Sequence, residues 1–106
     1  MKYRNKKTML DGEVFDSRRE AQRWAELCIM QKAGEITDLR RQVRFPLLPS
    51  QKGRTRWERP VYYIADFVYT MDGAQIIEDA KGVKTRDYIL KRKMMMYFHG
   101  VEVKEV

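Results

Sequence analysis

The chain changes its hydrophobic period several times, and each change marks a different element. Between Ser17 and Gly34 the apolar residues Ala21, Trp24, Ala25, Leu27 and Cys28 gather on one face at helical spacing. Ser17 stands where an N-cap belongs and Gly34 where a C′ glycine ends a helix, so SRREAQRWAELCIMQKAG predicts a helix. Ahead of it, Asp11-Gly12 between short apolar runs predicts a small hairpin. From Ile36 to Phe45 (ITDLRRQVRF) the pattern becomes strand-like, with Arg40-Arg41 marking a bend. LLPSQKGRTRWER follows as a connection containing Pro and Gly. PVYYIADFVYT and AQIIEDAKG then read as strands rich in β-branched and aromatic residues. Asp72-Gly73 between them is the strongest short-range hairpin signal in the chain. Thr85 caps a second predicted helix, RDYILKRKMMMYF, closed by Gly100, and VEVKEV alternates as a last strand. The order helix, three strands, helix, strand predicts an α/β domain over residues 8–106, with a basic arm, MKYRNKK, at 1–7.

Composition narrows what such a domain can do. With 106 residues there is room for one core. No apolar run approaches the roughly 18–20 residues of a membrane span, and the basic N-terminus lacks the apolar stretch of a secretory signal. Cys28 is the only cysteine, which rules out an internal disulfide or a cysteine zinc site and points to a reducing cytoplasm. A single histidine, His99, disfavours Ser-His and multi-histidine metal chemistry. Hydrolytic chemistry would have to run on carboxylates, lysines and a hard metal. The 22 basic against 15 acidic residues, a formal charge of +7, point to a polyanionic partner, although a charge of this size also serves solubility.

The acids that matter are those set in apolar strands. A two-residue turn at Asp72-Gly73 pairs Met71 with Ala74, Tyr69 with Ile76 and Asp66 with Asp79, and strand alternation puts Lys81 on the face of both acids. Facing carboxylates repel, and a divalent cation held between them removes the repulsion. A three-residue loop would instead pair Asp66 with Glu78. Two structural readings also stand: a solvent-exposed strand face, or Lys81 neutralising an acid. Glu78 belongs on the opposite face, in a structural or solvated role. Glu20 completes the capping box Ser17-x-x-Glu20, its carboxylate reaching back to the Ser17 amide, and is equally placed to serve as a third acidic ligand.

FDSRREAQRW, QVRF, YIADFVY, IIEDAKGVKT and YILKRK, in that order, resemble the PD-(D/E)XK nuclease superfamily. The likeness is nearest to its small phage and prophage branch, related to Holliday-junction resolvases and restriction endonucleases. It covers roughly residues 8–105, with Ala65 where the motif has proline. The resemblance implies a restriction-endonuclease-like α-β-β-β-α-β core: a mixed central sheet flanked by two helices. It implies Mg²⁺-dependent hydrolysis of DNA phosphodiesters (Mn²⁺ substituting), with Asp66, Asp79 and Glu20 at the metal and Lys81 orienting water or stabilising charge. It further implies branched or junction DNA as substrate, DNA over RNA, and a phage- or prophage-encoded protein in the bacterial cytoplasm; one active site per domain makes a homodimer the form that cuts two strands.

The remaining candidates each carry two readings. Lys52, Arg54, Arg56 and Arg59 around Trp57 suit backbone tracking with base stacking, or form an exposed loop whose Trp57 packs on its own domain. Lys84 and Lys91 face a nucleic acid or belong to a solvated helix face. Met94-Met95-Met96 fills the core or forms a dimer surface, and Trp24 belongs in the core. His99 caps the second helix. Gln42 borders the site without an assigned role. The alternative to an enzyme is a catalytically silent nucleic-acid-binding module on the same scaffold; a third possibility is a phage assembly or regulatory protein.

Overall fold

A computed structural model of the chain describes residues 7–10 and 12–106. The basic arm, Lys7 apart, and Asp11 of the first hairpin lie outside the described residues. The strands of that hairpin, β1 (Thr8–Leu10) and β2 (Glu13–Phe15), pair antiparallel as expected. Helix α1 (Arg18–Lys32) begins where Ser17 Oγ accepts the Glu20 amide at 3.1 Å. It ends before Gly34, whose φ of 80° supplies the left-handed turn.

The next strand, β3 (Thr37–Leu48), runs past the expected end at Phe45. Pro46 does not stop it because β3 is the edge strand, where a missing N–H breaks no ladder. Its register shifts between Thr37 and Arg40, with Asp38 at φ 54°, so the irregularity precedes the Arg40-Arg41 bend that the sequence suggested. The connection that follows is itself a small hairpin, β4 (Gln51–Lys52) against β5 (Trp57–Glu58). Gly53 makes it possible: its N–H donates to Arg56 O at 2.7 Å, and a Cβ there would lie 2.7 Å from the same oxygen.

Strands β6 (Val61–Met71) and β7 (Ala74–Asp79) form the central hairpin in the two-residue register, Met71 opposite Ala74 and Phe67 opposite Glu78. Asp72 at φ 52° and Gly73 at φ 79° give the turn two left-handed residues, whose twist matches the flanking strands. Helix α2 (Arg86–His99) is capped by Thr85 Oγ1 and closed by Gly100 at φ 65°. His99 is no cap; its Nε2 lies 2.7 Å from Pro46 O and ties the end of α2 to β3. Of VEVKEV only β8 (Lys104–Glu105) is strand, parallel to β7.

Among the described residues the result is a mixed sheet in the order β3-β6-β7-β8 with two helices. Leu27 of α1 packs with Ile36, Phe67, Tyr69 and Ala80, while Tyr88 and Met95 of α2 pack with Ala65, Val68, Ile77 and Val103. Trp24 is partly buried, stacked on Phe67 at 6.0 Å. The methionine run divides: Met95 is fully buried, Met94 packs on the core, and Met96 is exposed. No described helix is long and apolar enough to cross a membrane.

Candidate active site

Four polar side chains are buried among the described residues, and all four are acids: Glu20, Asp66, Glu78 and Asp79. Charge is costly to bury without partners, so the partners show what each acid is for. Glu78 is fully matched. Arg23 of α1 grips it with two hydrogen bonds, Nε to Oε1 at 2.8 Å and NH2 to Oε2 at 2.7 Å, and the Tyr69 hydroxyl donates to it as well. Burial pushes its carboxyl up, but these bonds outweigh burial and hold it below the ordinary glutamate range. The same burial and contact push the Tyr69 phenol up to about 12. Glu78 is therefore structural, on the side away from Asp79, as strand alternation requires.

Asp79, the next residue, is the opposite case. Its side chain is completely buried and neither carboxylate oxygen has a hydrogen-bond partner. Lys81 Nζ approaches Oδ1 to 3.4 Å and Asp66 Oδ2 to 4.0 Å, an ion pair without hydrogen-bond geometry. Burial dominates and pushes the Asp79 carboxyl up to about 6, with Lys81 pulling the other way. For Lys81 burial lowers and the acids raise, and Asp66 and Asp79 prevail, so the ammonium is held charged above its ordinary range.

Asp66 sits one step beyond the last Phe67–Glu78 pair. Its Oδ2 accepts the Ala80 amide at 2.9 Å, which fixes it beside the end of β7. Glu20 enters from the first turn of α1. Its Oε1 accepts the amide of Asp16, at 3.1 Å, rather than that of Ser17 as the capping box predicted. The Oε2 atom faces inward to Gln42 at 2.9 Å and Arg41 at 3.5 Å. Burial, reinforced by the charge of Asp66, raises the Glu20 carboxyl. One amide nitrogen, Gln42 Nε2, also reaches Asp66 Oδ1 at 3.3 Å and so links the two acids. Capping and a site-facing role thus coexist in Glu20, one for each carboxylate oxygen.

Glu20, Asp66, Asp79 and Lys81 are therefore brought together. Gln42 and Arg41 belong with them, although sequence reasoning assigned Gln42 no role and named Arg41 only as part of a bend. The available signal was the strand QVRF, whose register against β6 sets Gln42 opposite Asp66, between the pairs Arg41–Phe67 and Val43–Ala65. Arg41 is braced over the Phe15 ring at 4.0 Å and by Glu13 at 3.0 Å. Among the described residues no three acidic, His or Cys groups already form a ligand set. Even so, the donor chemistry fits a hard divalent cation: oxygen ligands only, two of them, on Asp79, buried and not hydrogen-bonded.

Beside Lys81 opens a cleft of about 360 Å³ lined by Tyr62, Ile64, Val83, Tyr88 and Lys91, among others. Lys91 stands in the wall of this cleft, paired with Asp87 at 3.6 Å. Lys84 pairs instead with Glu105 at 3.5 Å. Lys52, Arg54, Arg56 and Arg59 are exposed on and around the β4–β5 hairpin, and Trp57 is 66% exposed, so it does not pack on its own domain.

The family described as protein of unknown function, DUF1064, matches residues 1–105, and the chain belongs to it. No curated protein and no solved structure matches the chain.

Proposed function

We propose that this DUF1064 member is a divalent-metal-dependent endonuclease of the PD-(D/E)XK type, hydrolysing phosphodiester bonds of DNA. The observation that carries the reading is Asp79: a fully buried carboxylate with neither oxygen hydrogen-bonded, beside Asp66 and with Lys81 reaching both acids as an ion pair. A fold maintains such a group at a stability cost, and function is the usual return for it.

Asp66 and Asp79 would hold the ion, with Glu20 reaching it directly or through water. Mg²⁺, when bound there, supplies neutralisation of a phosphate oxygen and activation of a water. Lys81, kept protonated by the acids, is placed to stabilise charge as water attacks phosphorus and the bond to the leaving sugar oxygen breaks. The cleft that Lys81 and Lys91 both line would hold the strand beside Lys81, the one site residue in its wall. The exposed Arg54, Arg56 and Trp57 add phosphate and base contacts at a distance from the chemistry.

The finer elements of the reading are a restriction-endonuclease-like fold, branched or junction DNA as substrate, phage origin and action in the cytoplasm. A homodimer would supply the second active site needed to cut two strands. Leu90, Tyr97 and Phe98, exposed on α2, are the surface assigned to it.

Cleavage of supercoiled, linear and four-way-junction DNA in Mg²⁺, compared for wild type, Asp66→Ala and Lys81→Ala, tests the assignment. Both variants should lose cleavage while retaining DNA binding. Full cleavage by a folded Asp66→Ala protein refutes it. Binding without cleavage by the wild type favours the second reading, a silent nucleic-acid-binding module, which the exposed Trp57 among arginines also supports.

A further inference from the structure

Gln42 combines two unusual features. Its backbone lies at φ 52°, the left-handed region that residues with a Cβ enter under strain. No register shift accounts for this: the ladder skips Gln42, yet β3 keeps one alignment with β6 on both sides, Arg41 with Phe67 and Val43 with Ala65. The register shifts of β3 fall elsewhere, between Thr37 and Arg40 and between Pro46 and Leu48. Strain of this kind persists where the surroundings over-determine a conformation, and it concentrates at functional sites.

The second feature is where the side chain points. Nε2 lies 2.9 Å from Glu20 Oε2 and 3.3 Å from Asp66 Oδ1. An amide group has two N–H donors and no charge, so it can serve both carboxylates at once. Glu20 has some help from Arg41, and Asp66 from Lys81 and the Ala80 amide. Among the described residues, only Gln42 hydrogen-bonds to both acids.

We infer that Gln42 is a positioning residue that stands in for the cation: in the metal-free protein its amide holds Glu20 and Asp66 together, and it yields that place when the ion binds. This role rests on the metal-dependent reading of the site. Its energetic content is a matter of linkage. Gln42 stabilises the metal-free state more than the metal-bound state, so it lowers the apparent affinity for the ion while keeping the pocket assembled.

The test is Mn²⁺ binding by titration calorimetry, with melting in EDTA and in saturating Mn²⁺, for wild type, Gln42→Ala and Gln42→Gly. Gln42→Ala should melt lower in EDTA, approach wild type in saturating Mn²⁺, and bind Mn²⁺ roughly tenfold more tightly, the equivalent of one weak charge-assisted hydrogen bond. Gln42→Gly should show the same gain in affinity but melt above Gln42→Ala, because glycine accepts the positive φ. A purely structural glutamine would lower melting equally with and without Mn²⁺ and leave affinity unchanged, which overturns the inference. Weakened binding in both variants overturns it too, by making Gln42 a ligand. If wild type binds no Mn²⁺, the metal-dependent reading itself fails, and the inference with it.

Discussion

Asp79 gives the sharpest energetic test, because it is fully buried and neither of its oxygens is hydrogen-bonded. Consider Asp79→Asn, which removes the charge and nearly preserves the shape. In the folded protein the Asp79 carboxyl titrates at about 6, against 3.8 for an unperturbed aspartate. Between those values the folded state holds a proton that the unfolded chain has lost, so stability falls as pH rises through the interval. The stabilising contribution is complete below the unfolded value and gone above the folded one. At about 1.4 kcal/mol per pH unit the loss amounts to about 3 kcal/mol. Asparagine does not titrate, so it escapes that loss. Its buried amide still needs partners, a cost of about 1–3 kcal/mol, but that cost is the same at every pH. The quantity to measure is therefore the pH dependence of the difference between the two proteins. From pH 4 to pH 8 in EDTA, urea or thermal denaturation should show the difference shifting toward the variant by most of that, roughly 2 kcal/mol, or about 10 °C or more in melting temperature for a chain of this size. Mn²⁺ should then raise the melting temperature of wild type only. Stability–pH curves that run parallel for the two proteins would refute the claim that burial outweighs the Lys81 ion pair at Asp79.

Three further outcomes follow from side chains already described. Arg23→Ala should destabilise the protein by roughly 3 kcal/mol, because Glu78 is left charged and fully buried, and adding Glu78→Gln should recover much of it; chemical denaturation measures both, and independent, additive effects would contradict the pairing. Arg54→Ala and Arg56→Ala should weaken DNA binding regardless of sequence and lower the slope of log affinity against log salt by about 0.9 for each phosphate that is no longer neutralised. Trp57→Ala should weaken single-strand binding by about 1–3 kcal/mol. Fluorescence anisotropy across a salt series reads these effects, and unchanged slopes would detach the hairpin from nucleic acid.

Local chemistry made part of this arrangement legible in the sequence. The turn at Asp72-Gly73 specifies its own register, and that register alone places Asp66 near Asp79 and sends Glu78 to the other face. The capping residues Ser17 and Thr85 likewise announce where their helices start. The rest depends on contacts between distant segments. Gln42 meets Asp66 only because β3 pairs with β6 in one alignment, and nothing in QVRF specifies that alignment. Pro46 looks like the end of a strand until its edge position is known. His99 sits beside a helix stop and invites a capping role, yet its ring is taken by Pro46 of another strand. Glu20 shows both limits at once: the box pattern located it, but the tertiary fold decided which amide and which acid its two oxygens would meet.

The pairing of Arg23 with Glu78 has a consequence beyond stability. Arg23 and Glu20 lie three residues apart on α1, while Glu78 and Asp79 are consecutive on β7. A forked contact between Arg23 and Glu78 therefore acts as a gauge between helix and strand. It fixes both the rotation of α1 and its height along the sheet, since slipping by one turn, about 5.4 Å, would break both hydrogen bonds. Glu20 and Asp79 inherit their separation from that fit. The spacing of acids on one sheet face is thus calibrated from the other, by an arginine and an acid that stand outside the Glu20, Asp66 and Asp79 cluster.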